Sequence, residues 1–409
     1  MQLFLRLTLL VMACVAGGLS AIMCFFGLAY LLPYPYLFGL VSIVVVGVAT
    51  GYLAYMVFRG TQIRQKICMF MAIIMILLGL LLGIAMYKPR EFPQKPGAFT
   101  DLQYADLYTG SRIAYKLYKD SSVAKRGGIL FLHGGPGSNA ATNYSVRNAM
   151  RPFTKLGFDV CVYDQVGSGF SSRLNPVEYT PERHVADLEA LRQYLGWERL
   201  VLIGESWGAQ FLARYAAKFP ERVAAAVFVS PGPLFMPDWE EKSAGSPSKH
   251  LDPAERRVLE NLIDIRLMVA ILLLKVNPTA AIRFLPEEEA TQYGSAILGA
   301  LSPGAVCDDR VLTEDYQPFL NIYASHMVMG CLKREPQTLK KDFGRGDFPV
   351  LVLRGDCDYG HMELSTEYTN VFRDSSLVTL KNTGHFMLLE NPEGFFDSVA
   401  LFLEDKTKR

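Results

Sequence analysis

A serine between two glycines stands where a nucleophile would. Gly204-Glu205-Ser206-Trp207-Gly208 follows the apolar run 200–203 and leads straight into a helical pattern from Ala209. Strand, tight turn and helix in that order fit a G-x-S-x-G elbow, where glycine on either side leaves the serine clear of the backbone. The helix N-terminus behind it favours developing negative charge. A serine hydroxyl attacks poorly until a base takes its proton and an acid orients that base. Six histidines are available, at 133, 184, 250, 326, 361 and 385. His385, in Asn382-Thr383-Gly384-His385-Phe386, comes just after the last apolar run and before the terminal helix. It is the predicted base, and His361 is a weaker rival. The acid should follow the run 348–353, where Gly355-Asp356-Cys357-Asp358 offers two carboxylates. Asp358 closes the turn and is favoured, with Asp356 shaping the loop.

A second glycine-rich stretch, Leu132-His133-Gly134-Gly135-Pro136-Gly137, ends an earlier apolar run. Glycines there let backbone N–H groups turn inward with no side chain in the way. The N–H of Gly135 and that of Trp207 are the predicted oxyanion donors, each such donor being worth about 2.7–4 kcal/mol of barrier. Glu205, His133 and Gly134 adjoin these groups and are expected on the substrate side.

These loops need a scaffold. Strand-like runs at 113–118, 128–132, 158–163, 200–203, 226–229, 348–353 and 377–380 alternate with helical patterns at 143–155, 183–195, 209–219, 362–373 and 392–404. Thr180 is a candidate cap, with Pro181 in the first turn. Such alternation predicts an α/β fold, a mostly parallel sheet with helices on both faces. Residues 234–345 carry helical patterns and no strong strand, so they read as a cap over the sheet's C-terminal edge, where ligands bind in such folds. Within it the apolar run 267–274 is too short to span a bilayer and is expected to pack on the sheet domain, the alternatives being to line an apolar pocket or to touch the membrane surface.

The first ninety residues differ. Residues 3–32 carry one charge, Arg6, and residues 36–58 and 67–87 carry none. Each run reaches the roughly 20 residues that cross a bilayer, so three transmembrane helices are expected. The expected plan is a membrane domain at 1–87, a linker at 88–100, a hydrolase core at 101–233 and 346–409, and the cap at 234–345. Arg6, Arg59, Arg64 and Lys66 lie on one side, and Lys88, Arg90 and Lys95 on the other. That bias puts the C-terminal domain outside the cytoplasm. A formal net charge of +1 over 409 residues gives no sign of a nucleic-acid partner. Of seven cysteines, Cys307 and Cys331 are the expected disulfide pair. No C-x-x-C or histidine cluster suggests a metal.

His133-Gly134-Gly135-Pro136-Gly137, then Asp164-Gln165-Val166-Gly167-Ser168-Gly169-Phe170-Ser171, then Gly204-Glu205-Ser206-Trp207-Gly208 resemble the prolyl aminopeptidases (proline iminopeptidases) of the α/β-hydrolase superfamily. The resemblance covers about 110–232 and 347–403. It implies a cofactor-free serine hydrolase removing N-terminal residues from peptides, with Ser206, Asp358 and His385 as its triad and Gly135 and Trp207 as its oxyanion hole. The chain departs from that pattern in several places, the three expected membrane helices among them. Val166 stands where the family usually has Arg. Glu205 stands where the family commonly has Gly. Tyr323-Ala324-Ser325-His326-Met327 has alanine where a cap glutamate would bind the substrate's amine, leaving Glu240, Glu241 and Glu287–Glu289 as substitutes. A lipase or esterase using the same triad on an apolar ester is the second expectation, and a catalytically silent hydrolase fold used for binding is the third.

Overall fold

The computed structural model describes residues 2–31, 34–57, 59, 64–87, 89–92, 101–239, 244–313 and 316–407. The N-terminal helices are α1 (Gln2–Leu31), α2 (Pro35–Val57) and α3 (Arg64–Tyr87). Then come β1 (Gln103–Asp106), β2 (Arg112–Tyr118), β3 (Gly127–Leu132), α4 (Tyr144–Met150), β4 (Phe158–Tyr163), α5 (Pro181–Tyr194), β5 (Leu200–Glu205), α6 (Trp207–Lys218) and β6 (Val223–Val229). A helical stretch follows: α7 (Pro253–Leu262), α8 (Ile265–Val276), α9 (Pro278–Phe284), α10 (Glu287–Leu301), α11 (Ile322–Leu332) and α12 (Gln337–Lys340). The chain closes with β7 (Val350–Gly355), α13 (Met362–Val371), β8 (Ser375–Leu380), α14 (Met387–Glu390) and α15 (Pro392–Thr407). Two compact units result, Met1–Glu91 with Ile263–Glu289, and Phe92–Leu262 with Ala290–Arg409.

The larger unit is built on an eight-stranded sheet of order β1-β2-β4-β3-β5-β6-β7-β8. The β1–β2 and β2–β4 pairs are antiparallel and every later pair is parallel. Alternate strand residues face opposite layers. Leu130, Leu202, Phe228 and Val352 pack with Leu188 and Leu191 of α5 and with Phe211 and Tyr215 of α6. Ile129, Phe131, Val201, Ile203 and Val227 pack with Val146 of α4 and with Phe395 and Val399 of α15. Both faces are therefore covered, as expected of parallel strands that read as near-continuous apolar runs. Thr180 caps α5 by accepting from Arg183 N at 3.1 Å. The seven expected strands are present. The eighth, β1, is four residues long and holds Gln103 and Asp106, which leaves little β signal.

In the smaller unit α1 packs on α2 and α2 on α3, while α8 packs on α1 and α3, and α9 on α2. A Cβ at Gly79 would lie 2.9 Å from Ile43 Cγ1, so that crossing needs the bare backbone. The apolar run 267–274, expected on the sheet domain, groups here instead. Its base is held by charges. Arg266 pairs with Glu289 at 2.7 Å, Arg90 with Asp264 at 3.4 Å, and Arg90 N donates to Glu289 at 3.2 Å. At its other end Asn277 Nδ2 donates to Ala29 O at 2.9 Å, and Arg283 lies over the Tyr34 ring at 4.8 Å. Among the described residues one helix, Pro35–Met56, is long and apolar enough to cross a membrane. The qualifying parts of the other two are shorter, Gly17–Leu31 and Met69–Leu81.

Candidate active site

Four loops leave the C-terminal ends of the parallel strands and converge. Ser206 follows β5 and starts α6 with φ 55° and ψ −113°. A non-glycine residue held there costs on the order of 1–3 kcal/mol and persists only when its surroundings fix it. They do so here by close packing. A Cβ on Gly204 would lie 2.4 Å from Gly208 O, and one on Gly208 would lie 1.9 Å from Leu132 O. Ser206 N donates to Val229 O at 2.9 Å.

His385 follows β8 and Asp358 follows β7, and they meet. His385 Nδ1 lies 2.9 Å from Asp358 Oδ1, with both side chains buried. Burial disfavours the charged form of each, but their mutual attraction wins. The imidazole is raised above its usual 6.5 and the Asp358 carboxyl lies below its usual range. Gly360 N also donates to Asp358 Oδ1 at 2.9 Å. Asp356, the alternative acid, instead accepts from Thr383 N at 3.3 Å and sits 3.6 Å from Lys381 Nζ. With Nδ1–H donating to Asp358, His385 Nε2 is an acceptor, and Tyr359 Oη lies 3.3 Å from it. The rival histidine His361 stands before α13 as its N-cap residue and is not among the cavity's lining residues.

The glycine loop after β3 runs beside the serine. A Cβ on Gly134 would meet Ser206 Cβ at 3.2 Å. Gly135 adopts φ 116° ahead of a cis Gly135–Pro136 bond. Among the described residues, neither Gly135 N–H nor Trp207 N–H has an acceptor in the protein. Two free amides flanking a serine at a helix N-terminus can stabilise an oxyanion. His133 lines the same cavity as Ser206, with both ring nitrogens turned to backbone groups. Its Nδ1 lies 2.9 Å from Gly134 O and its Nε2 accepts from Gln165 N at 3.0 Å, while burial pushes the imidazole down to about 3. It braces the loop as a neutral ring.

Several supporting residues have roles that the sequence did not assign. Gln165 donates from Nε2 to His133 O at 2.9 Å and accepts from Trp207 Nε1 at 2.9 Å, so one side chain couples both sources of free amides. The buried Asp164 carboxylate accepts from Ala140 N and Ala141 N, both at 2.8 Å, and from Phe170 N at 3.1 Å. Asn321 caps α11, donates from Nδ2 to Gly167 O at 2.8 Å and from its backbone N to Gly137 O at 2.9 Å. Glu390 accepts from Gly384 N at 2.8 Å and from Cys307 N at 2.6 Å.

That last contact belongs to a correction. Cys307 is bonded to Cys357, the residue before Asp358, and Cys331 is free. The chain after α10 folds back onto the acid and histidine loops, where His385 N donates to Ala305 O at 2.7 Å. Cys307 and Cys357 thus come within a Cα separation of 5.5 Å across 50 residues of sequence. No linear spacing signals that approach.

Ser206, His385, Glu205, Tyr359 and Gly134 line a cavity of about 260 Å³. Its other walls include Leu298, Leu301, Tyr316, Phe319, Phe386, Leu388 and Leu389. Burial pushes the Glu205 carboxyl up to about 7, with Asp358 adding to the rise and His385 opposing it.

A family profile described as the alpha/beta hydrolase fold matches residues 128–263. Over 134 residues the chain is 30% identical to a proline iminopeptidase of Heyndrickxia coagulans, a match covering 32% of this chain and 44% of that protein. Over 120 residues it is 38% identical to a putative proline iminopeptidase of Mycoplasma pneumoniae, covering 28% of this chain and 36% of that one. The chain thus spans less than half the length of these curated relatives. A solved structure from work on carboxylesterases of the thaumarchaeon Nitrososphaera gargenis superposes with a TM-score of 0.51 at 17% identity. It covers 75% of this chain and 99% of that one, and the shared feature is the fold.

Proposed function

We propose that this chain, an α/β hydrolase by fold, is a membrane-anchored serine hydrolase that removes N-terminal residues from peptides. The observation that carries the reading is the His385–Asp358 pair at 2.9 Å, in one cavity with a strained serine at a helix N-terminus. Ser206 Oγ attacks the carbonyl carbon as His385 Nε2 takes its proton. Asp358 holds the ring in the tautomer that leaves Nε2 free to accept, and it stabilises the imidazolium that forms. The N–H groups of Gly135 and Trp207 receive the oxyanion. His385 then protonates the leaving amine, and water attacks the resulting acyl-serine by the same route.

Partial identity to proteins named as proline iminopeptidases supports an amide substrate. The apolar cavity wall favours a second reading, a membrane-associated esterase using the same groups on an ester. Detergent-purified wild type and Ser206→Ala are compared on a prolyl arylamide and on a medium-chain aryl ester. Ser206-dependent cleavage of the prolyl amide supports the aminopeptidase, and ester cleavage alone supports the esterase. Ser206→Ala should lose on the order of 10⁴–10⁶ in turnover. Hydrolysis that survives it removes Ser206 from the mechanism.

The membrane anchor rests on α1–α3, above all Pro35–Met56. The Cys307–Cys357 bond supports a catalytic unit outside the cytoplasm, since disulfides persist in oxidising compartments. Alkaline extraction of membranes tests the anchor. Protease protection of oriented vesicles tests the side.

A further inference from the structure

The cavity holds one acidic side chain that the reaction above leaves unused. Glu205 is the sole Asp or Glu among its described lining residues. Its carboxyl makes no hydrogen bond or ion pair among the described residues, whereas the neighbouring buried carboxyls are all occupied. Asp358 holds His385 and Gly360 N, Glu390 holds Gly384 N and Cys307 N, and Asp164 holds three backbone amides. A half-buried carboxylate without a partner is costly beside apolar walls. The ionisable groups around it are His385, Asp358, Tyr316 and Tyr359. His385 is already paired with Asp358, so among the described residues no cation is left for Glu205. The missing partner is a group brought by the substrate.

Position says which group. Ser206 Oγ bonds to the acyl carbon of the substrate. In an N-terminal residue the α-amine nitrogen is separated from that carbon by one atom. A carboxylate on the residue adjoining the nucleophile, facing the same cavity, lies where that amine must sit. The other acidic candidates are less suited. Glu289 is engaged by Arg266, and Glu240 and Glu241 lie outside the described residues. We propose that Glu205 is the binding site for the protonated α-amine of the substrate's N-terminal residue, and so the specificity determinant of the exopeptidase. This rests on the aminopeptidase reading.

The test compares a prolyl arylamide with the arylamide of cyclopentanecarboxylic acid, which keeps the ring and lacks the amine. The ratio of their kcat/KM values is measured in wild type and in Glu205→Gln, with fluorophosphonate labelling of Ser206 as a check that the variant retains its site. In wild type the ratio should climb from the acid side towards pH about 7 as Glu205 ionises. Glu205→Gln should lower it at least about thirtyfold, the effect of removing one partner from a buried charge pair, and flatten its pH dependence. A variant that slows both substrates equally would mean that Glu205 acts only through His385, overturning the proposal. A wild-type ratio that stays near unity while the prolyl amide is cleaved overturns it too, and decides the matter even if the variant fails to fold. Faster cleavage of an analogue carrying a carboxylate in place of the amine would also overturn it. Wild type that cleaves neither arylamide but hydrolyses the aryl ester defeats the aminopeptidase reading itself, a different result from any of these.

Discussion

Tyr359 places its hydroxyl 3.3 Å from His385 Nε2, the nitrogen that receives the proton of Ser206 in the proposed reaction. The two rings lie 4.4 Å apart between centroids, and no Ser206–His385 hydrogen bond forms among the described residues. In the proposed reaction the base is therefore engaged by a competitor that substrate binding would displace. A neutral hydrogen bond contributes about 0.5–1.5 kcal/mol net. Tyr359→Phe should accordingly raise kcat/KM by up to about tenfold. Steady-state kinetics on the same arylamide checks this, and a fall of similar size would give the hydroxyl a part in proton transfer.

The two aspartates of one loop should behave very differently. Asp358→Asn leaves His385 with no carboxylate to fix its tautomer and should cost about 10⁴ in kcat. Asp356 is tied to Thr383 N and Lys381 and should tolerate Asn with less than about a tenfold change, since an exposed pair is worth about 1 kcal/mol or less. The pH profile separates them as well. The base must be neutral, so kcat/KM should fall as pH drops through the raised His385 value, above 6.5, and this limb should keep its position in Asp356→Asn.

The Cys307–Cys357 bond closes a loop of 50 residues, and in the chain-entropy account such a crosslink stabilises by about 4 kcal/mol. Replacing both cysteines with serine should lower the denaturation midpoint accordingly. Non-reducing peptide mapping should recover this pair, with Cys331 alkylated as a free thiol.

Glu205 should leave a mark on stability. Its folded value of about 7 lies above the ordinary 4.5, so between these pH values the folded state binds more protons than the unfolded chain. Stability contributed here is intact below pH 4.5, falls as pH rises, and reaches its lowest level above 7. Glu205→Gln removes that penalty. It should match wild type in denaturant titrations at low pH and exceed it by up to about 3 kcal/mol above pH 7.

Much of the candidate site's arrangement was legible because its parts are local. Ser206, Asp358 and His385 each sit at a strand end marked by glycine, and the order of strands carries them together. The expected seven strands formed because buried parallel strands are continuous apolar runs. What stayed illegible depends on distance along the chain. Gln165 gains its role only when β4 lies beside β3, and Glu390 only when the segment at Cys307 folds onto the histidine loop. Cys307 was assigned to Cys331 because spacing says nothing about which thiol approaches. The run 267–274 reads as an ordinary core helix, since its packing on α1 and α3 joins segments far apart in the chain.

The smaller unit is discontinuous, and that sets an order on biosynthesis. Its first part, up to Glu91, leaves the ribosome well before α8 and α9 exist. Phe92–Leu262 must be made in between, which at about 5–20 residues per second takes roughly ten to thirty seconds. For that interval α1 and α3 present uncovered the surfaces that α8 later packs, and Ala29 O waits for Asn277. The smaller unit can therefore reach its final packing only after the second segment has been made.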